Sequence, residues 1–353
     1  MNIAKIIIDC ERMKYPHTGL YHFCYNLGMA LTEIVNPASE ELSFYLPAKK
    51  INVFGENQHY LIQQAWHKLQ LSALNQYSLW HSTHQDSHYF PGKRKLPIVL
   101  TIHDLNIIHN EHKSEKLKIS FIKEIEKKIK KADYITFISA FTKSDVQQYI
   151  DLNSKPTAVI YNGCNINELT AIKTPSYTPS SPFLFTIGTI MEKKNFHVLP
   201  ALLAGNNFIL VIAGITKSKS YRLEILKEAA RYGVEKRVVF TGPVSENDKQ
   251  WYYKNCEAFV FPSLAEGFGL PVLEAMYFGK PVFLSTYTSL PEIGGDVSYY
   301  FQSFDKEDMQ LTLKQGLQNY KAPGVSERII ERAASFSWKE SAMKYLDVYR
   351  SLY

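Results

Sequence analysis

The chain has 353 residues, 45% of them hydrophobic and 21% charged, with a net charge of +6 from 40 Lys and Arg against 34 Asp and Glu. Such a length suits two domains rather than one, and the composition is that of an ordinary globular protein. The charge excess is mild and is not gathered into an Arg-rich stripe interleaved with stacking aromatics, which argues against a nucleic-acid partner; a membrane surface or an anionic substrate stays open.

From the N-terminus, Lys5–Asp9 reads as the first strand, and its apolar stretch, Ile6 to Ile8, is too short for a signal peptide. Further strands are expected at Leu42–Leu46, Ile98–Ile102, Tyr134–Ile138 and Thr157–Tyr161 in the first half. In the second half they are expected at Phe183–Gly188, Phe208–Gly214, Val238–Thr241, Ala258–Phe261 and Pro281–Ser285. These runs alternate with helix-length amphipathic stretches, the pattern of a parallel α/β sheet covered on both faces. Lys113–Lys131 holds eight Lys against three Glu, with Leu117, Phe121, Ile125 and Ile129 at helical spacing. It reads as a helix with a core-facing stripe and a solvated basic face, and that face also suits anionic lipid headgroups or a lipid-linked acceptor.

Lys173–Pro182, rich in Pro, Ser and Thr, reads as a linker, giving domains at 1–172 and 183–335 and a terminal aromatic-rich helix at 336–353. The longest apolar run, Phe208 to Ala213, is far short of a bilayer span. Cys10, Cys24, Cys164 and Cys256 form no CxxC pair and read as reduced, buried thiols of a cytosolic protein. His81, His84 and His88 have metal-ligand spacing, but on a strand end and loop they read as packing and hydrogen-bonding groups.

The most informative stretch is Phe261–Glu274, FPSLAEGFGLPVLE. A strand ends at Phe261, a loop carries Glu266, Gly267 and Gly269, and Pro271 sits where a helix begins. Glycines let backbone N–H groups approach an anion, and the helix N-terminus adds a favourable dipole. Glu274, about a turn into that helix, is expected to reach back to the pocket of Glu266. Two carboxylates beside a phosphate-binding turn suit a ligand with phosphates and hydroxyls, a sugar nucleotide. A tight turn alone would explain the glycines equally well, and the rival dinucleotide fingerprint fails at its third glycine position, which is Val272.

The E-x7-E pair Glu266 and Glu274, within EGFGLPVLEAM and followed by GKPV, resembles the donor site of retaining glycosyltransferases of family 4. The resemblance implies the GT-B fold: two Rossmann-like parallel-sheet α/β domains facing a cleft, with a C-terminal helix crossing back to the first. It also implies that Lys194, with Lys193, holds the donor diphosphate in the loop after Gly188, where Thr189 stands in place of a frequent Arg. Glu266 and Gly267, Phe268, Gly269 and Leu270 would hold the sugar, Glu274 the ribose, and the stretch containing Val244 the base. His103, ending VLTIHD, would be the first domain's catalytic-side histidine beside Glu266 and Lys194.

In the acceptor-side loop HTGLYHF, Gly19 is followed by Tyr21 and His22 where the family often has Gly and Arg. FISAFTKSDV, VIYNGCN and SLPEIGGD resemble further family segments. The implied reaction moves a hexose, with GDP-mannose favoured as donor, to a glycan or lipid-linked acceptor with retention, in polysaccharide or lipopolysaccharide assembly. The absence of any DxD motif argues for catalysis without a metal or other cofactor. The expected location is cytoplasmic, peripheral on the inner face of the membrane. A sugar-nucleotide epimerase on the same scaffold and a non-catalytic nucleotide-binding module stand as alternatives.

Overall fold

The computed structural model describes residues 3–16, 18–69, 71, 74–92, 96–110, 113–164 and 166–353; His17 of the acceptor-side loop and Asn165 of VIYNGCN lie outside the described residues. The chain divides into two compact units, Met1–Asn165 with Phe336–Tyr353, and Ile166–Ser335. Each is built on one parallel sheet.

In the first unit the strands are β1 (Ala4–Asp9), β2 (Glu40–Leu46), β3 (His59–Ile62), β4 (Leu79–Ser82), β5 (Ile98–Ile102), β6 (Tyr134–Phe137) and β7 (Thr157–Val159), in the order β3-β2-β1-β4-β5-β6-β7. Apolar side chains such as Ile6, Ile8, Leu100 and Ile135 are fully buried, because helices cover the parallel strands. Those helices include α1 (Gly19–Ile34), α2 (Glu115–Lys131) and α3 (Ala140–Tyr149), each with a Ser or Thr N-cap that accepts a backbone N–H. The α2 stripe is only partly core. Ile125 and Ile129 are buried and Phe121 packs against the core, whereas Leu117 is 45% exposed; Ile119, off the stripe, is 54% exposed.

The second unit orders its strands β10-β9-β8-β11-β12-β13, with β8 (Phe183–Ile187), β9 (Ile209–Ala213), β10 (Val238–Gly242), β11 (Ala258–Phe261), β12 (Val282–Ser285) and β13 (Tyr299–Phe301). Its helices are α4 (Lys219–Arg231), α5 (Glu246–Asn255), α6 (Leu270–Tyr277), α7 (Leu290–Gly294), α8 (Lys306–Asn319) and α9 (Val325–Ala334). The stretch expected as a linker belongs to this unit. The Lys173 backbone exchanges two 2.8 Å hydrogen bonds with the Asn247 amide, and the Tyr177 carbonyl accepts from the Tyr252 hydroxyl at 2.7 Å. The change of unit along the chain therefore falls earlier, after residue 165.

The last helix, α10 (Trp338–Arg350), returns to the first unit. Tyr349 hydrogen-bonds His81 Nδ1 at 2.7 Å, Tyr345 lies 3.2 Å from the Thr101 hydroxyl, and Arg350 pairs with Glu40 at 2.6 Å. Gly163 is needed for this docking: a Cβ there would stand 2.2 Å from the Trp338 nitrogen. Among the described residues no helix is long and apolar enough to cross a membrane, and no group of three His, Cys, Asp or Glu converges as a metal site. Of the three spaced histidines, His81 spends both ring nitrogens on Thr101 and Tyr349, His84 Nδ1 accepts from the Asp86 backbone, and His88 is exposed.

Where the first sheet reverses its strand order, between β1 and β4, Asp9 is buried; it accepts from the Ser87 hydroxyl at 2.5 Å and from the Glu11 backbone at 3.1 Å. Burial, and then the neighbouring Glu11 charge, push its carboxyl up to about 7. The folded chain thus holds this proton more tightly than the unfolded chain. Stability attached to Asp9 is present at low pH and is lost as pH rises from about 4 through about 7. Asp9→Asn should therefore gain on the parent in melting temperature between about pH 5 and about pH 8. An unchanged gap in scanning calorimetry across that interval would refute the buried titration.

Candidate active site

The loops after β8 and β11 meet where the second sheet reverses direction, at the carboxyl ends of adjacent strands, the position at which such sheets bind ligands. Lys193 and Lys194 lie in a short 3-10 turn, Glu192–Lys194, followed by Asn195 in the left-handed region. The Lys193 carbonyl accepts from the Leu264 backbone at 2.9 Å, which stitches the two loops together, and the Ser263 hydroxyl stands 3.1 Å from it.

Lys194 is buried, with its ammonium 2.5 Å from Glu266 Oε1 and 4.7 Å from the Phe261 ring centroid. The Ser263 hydroxyl is 2.6 Å from the same Glu266 oxygen. Burial alone would raise the Glu266 carboxyl, but the charges of Lys194 and Lys193 and the hydrogen bonds from Lys194 and Ser263 outweigh it and hold it below the usual carboxylate value. Lys193 is half-buried and makes no ion pair among the described residues, although its charge also acts on Glu266.

The loop carrying Glu266 is also tied to the segment after β12. The Glu266 backbone donates to the Thr288 hydroxyl at 3.0 Å, and the Ser289 hydroxyl stands 3.0 and 2.9 Å from the carbonyls of Glu266 and Phe268. Ser285 donates to the Ser263 carbonyl at 2.5 Å. Gly269 then caps α6 with φ +109, a conformation that strains an L side chain, and Pro271 follows in the first turn. Gly267, Phe268 and Gly269 are buried, Leu270 is half-buried, and so are Gly188 and Val244, the latter just before the Ser245 cap of α5.

Glu274 is held by other side chains than Glu266 is. It does not share a partner with Glu266; it lies against α5, where Lys249 contacts Oε1 at 3.2 Å and Tyr253 donates to Oε2 at 3.0 Å. As the fifth residue of α6 it faces α5, whose Tyr253 hydroxyl also lies 3.2 Å from the Pro271 carbonyl at the start of α6.

The other expected residues belong to the first unit. His103 follows β5 and is buried; its Nε2–H donates to the Thr83 carbonyl at 2.8 Å, leaving Nδ1 as the acceptor nitrogen. Burial lowers its pKa to about 4, despite the opposing Thr83 hydrogen bond, so the ring is neutral. Phe23 of α1 packs edge-on against His103 at 4.6 Å, bringing that ring near the first turns of α1, where Gly19 is exposed and Tyr21 and His22 are half-buried. Sequence reasoning missed Ser263, Ser285, Thr288, Lys249 and Tyr253; the last two stand four apart on one helix, a spacing that put them on one face.

Lys194→Met strands the Glu266 carboxylate and should cost about 3 kcal/mol, read as a lower urea midpoint, while adding Glu266→Gln should recover most of it. A double variant no more stable than the single one would show that the pair does not join the two loops.

Comparison with known proteins bears on the family. A model described as glycosyl transferases group 1 matches residues 172–336, and one described as glycosyltransferase family 4 matches residues 30–168. O-antigen chain mannosyltransferase B of Escherichia coli is 24% identical over 99% of this chain and 100% of its own. The serotype-specific mannosyltransferase WbdA of Escherichia coli is 30% identical over 63% of this chain, a match that takes in 29% of that longer protein. The solved structure of Anabaena HepE in complex with UDP-glucose superposes with a TM-score of 0.74 at 15% identity, covering 98% of this chain and 99% of that one. The fold is GT-B, and with one matched segment in each unit the chain belongs to the family 4 glycosyltransferases.

Proposed function

We propose that this enzyme transfers a hexose, with retention and without a metal, from a nucleoside-diphosphate sugar to a glycan or lipid-linked acceptor in bacterial surface polysaccharide assembly. The observation that carries the reading is the pair of lysines held at the strand-order reversal of the second sheet, one buried against Glu266 and one half-buried without an ion pair among the described residues. In the reaction the bond from the anomeric carbon to the β-phosphate oxygen breaks, an acceptor hydroxyl oxygen takes its place, and negative charge gathers on the departing diphosphate. Lys193 and Lys194, fixed before the reaction begins, neutralise that charge without reorganising.

Glu266 and the glycine-rich turn from Gly267 to Leu270, with Gly188 beside it, hold the sugar and phosphates; Glu274 takes the ribose and the Val244 stretch the base. In the first unit His103, neutral and with Nδ1 as an acceptor, hydrogen-bonds a sugar hydroxyl, and Gly19, Tyr21 and His22 serve the acceptor. The relatives named as O-antigen and serotype-specific mannosyltransferases favour GDP-mannose and an O-antigen or lipopolysaccharide acceptor.

The same reading places the enzyme at the inner face of an anionic membrane. Leu117 and Ile119 are exposed at the start of α2, and Lys116 and Lys123 make no ion pair among the described residues, so apolar and cationic groups face solvent together. Co-sedimentation with phosphatidylglycerol vesicles, absent with phosphatidylcholine and lost in K116E/K123E, is the expected result; equal behaviour with both lipids would remove the membrane from the reading.

For the donor, thermal shift with GDP, UDP, ADP and their sugars, with and without EDTA, should single out GDP and GDP-mannose. Saturation at a hundredfold excess over Kd gives roughly 2.7 kcal/mol of apparent stabilisation. A shift abolished by EDTA would overturn the metal-free site, and stabilisation by uridine nucleotides alone would replace the donor.

A further inference from the structure

Tyr253 and Lys249 lie four residues apart on α5, both buried, and each meets a different oxygen of the Glu274 carboxylate, at 3.0 and 3.2 Å. Neither contact is what packing alone would produce. The Tyr253 ring fills the core against Phe185, Phe259 and Phe278, a task phenylalanine would serve equally, yet the hydroxyl is present and its neighbours are Glu274 and the Pro271 carbonyl at 3.2 Å. Burial, then the Glu274 charge, raise the Tyr253 phenol well above its ordinary value, so it remains a donor.

Lys249 is a costly residue to bury. Burial pulls its pKa down, but the charges of Glu274 and Glu246 more than restore it, and Glu246 Oε2 lies 3.0 Å from the ammonium. An ionised carboxylate has about four lone-pair positions, two on each oxygen. With one donor already on each oxygen, a further position on each remains, in a plane fixed by the two α5 side chains. Two acceptors set side by side in one plane match a pair of adjacent hydroxyls. The same helix begins at the Ser245 cap, immediately after Val244, so one rigid element carries both the carboxylate's clamp and the end of that loop.

We propose that Lys249 and Tyr253 are positioning residues that fix the Glu274 carboxylate to accept both hydroxyls of a nucleotide's ribose, and that α5 thereby joins base reading to ribose reading. The inference rests on the donor-site assignment made above and adds to it the residues through which Glu274 acts. They touch Glu274 rather than the sugar, so their effect is confined to ligands that possess the two hydroxyls.

The test is titration calorimetry of the intact protein with GDP and 2′,3′-dideoxy-GDP, and with the corresponding uridine pair, for the parent, Y253F, K249M and K249R. The parent should prefer the ribose form by about tenfold or more, the worth of hydrogen bonds to a charged group. In Y253F and K249M the ribose form should weaken by roughly fivefold while the dideoxy form stays within about twofold, and K249R should keep more of the preference than K249M. In turnover the same variants should raise KM for the donor and leave kcat nearly unchanged. Equal weakening toward both forms of the nucleotide would show that the two side chains only support the fold, and would overturn the proposal. A parent protein that binds neither guanosine nor uridine diphosphate would instead remove the donor-site reading itself, and this one with it.

Discussion

When two parallel strands lie side by side but lead their connections to opposite faces of a sheet, the loops at their carboxyl ends part and leave an opening that neither helix layer fills. In the second unit that constraint falls between β8 and β11, and the organisation of the site follows from it. The two loops are drawn across the opening by the backbone bond from Leu264 to the Lys193 carbonyl and by the contact of Lys194 with Glu266. A cation is thus built into the place where a sheet of this kind already directs its strand ends.

Electrostatics then separates the two glutamates of the motif. Glu266 is paired with a lysine from across the reversal, whereas Glu274 is paired with a lysine and a tyrosine from α5. A buried carboxylate without a partner is strongly unfavourable, so each needs its own counter-charge. Separate counter-charges leave the two carboxylates electrostatically independent of each other.

Much of this architecture was legible in the sequence where apolar runs were continuous. Ile98–Ile102 and Ala258–Phe261 begin and end in the fold where their β-branched and aromatic runs do. Three strands were not legible for physical reasons. His59–Ile62 and Tyr299–Phe301 are short edge strands with little burial to enforce a pattern, and Leu79–Ser82 is central yet carries His81 and Ser82, polar residues satisfied by distant partners. In the site, Glu266, Lys193 and Lys194 sit in contiguous motifs and announce themselves. Lys249 and Tyr253 do not, because on a helix otherwise rich in polar residues only the packing of α5 against α6 distinguishes them from a solvated face. The Pro- and Ser-rich stretch misled in the opposite sense: its lack of regular structure says nothing about whether Asn247 and Tyr252 will hold it down.

The return of α10 has a consequence for the order in which the protein forms. The second unit is a continuous segment, whereas the first is completed only by Phe336–Tyr353. His81 Nδ1 finds its partner on Tyr349, and Glu40 its guanidinium on Arg350. As the chain leaves the ribosome, the first unit must wait for residues 336–353, with His81 Nδ1 and the Glu40 carboxylate left to water until then, while the second unit already holds all of its own sequence. Domains made at the amino end usually finish first; here completion runs backwards, and the second unit can close before the first.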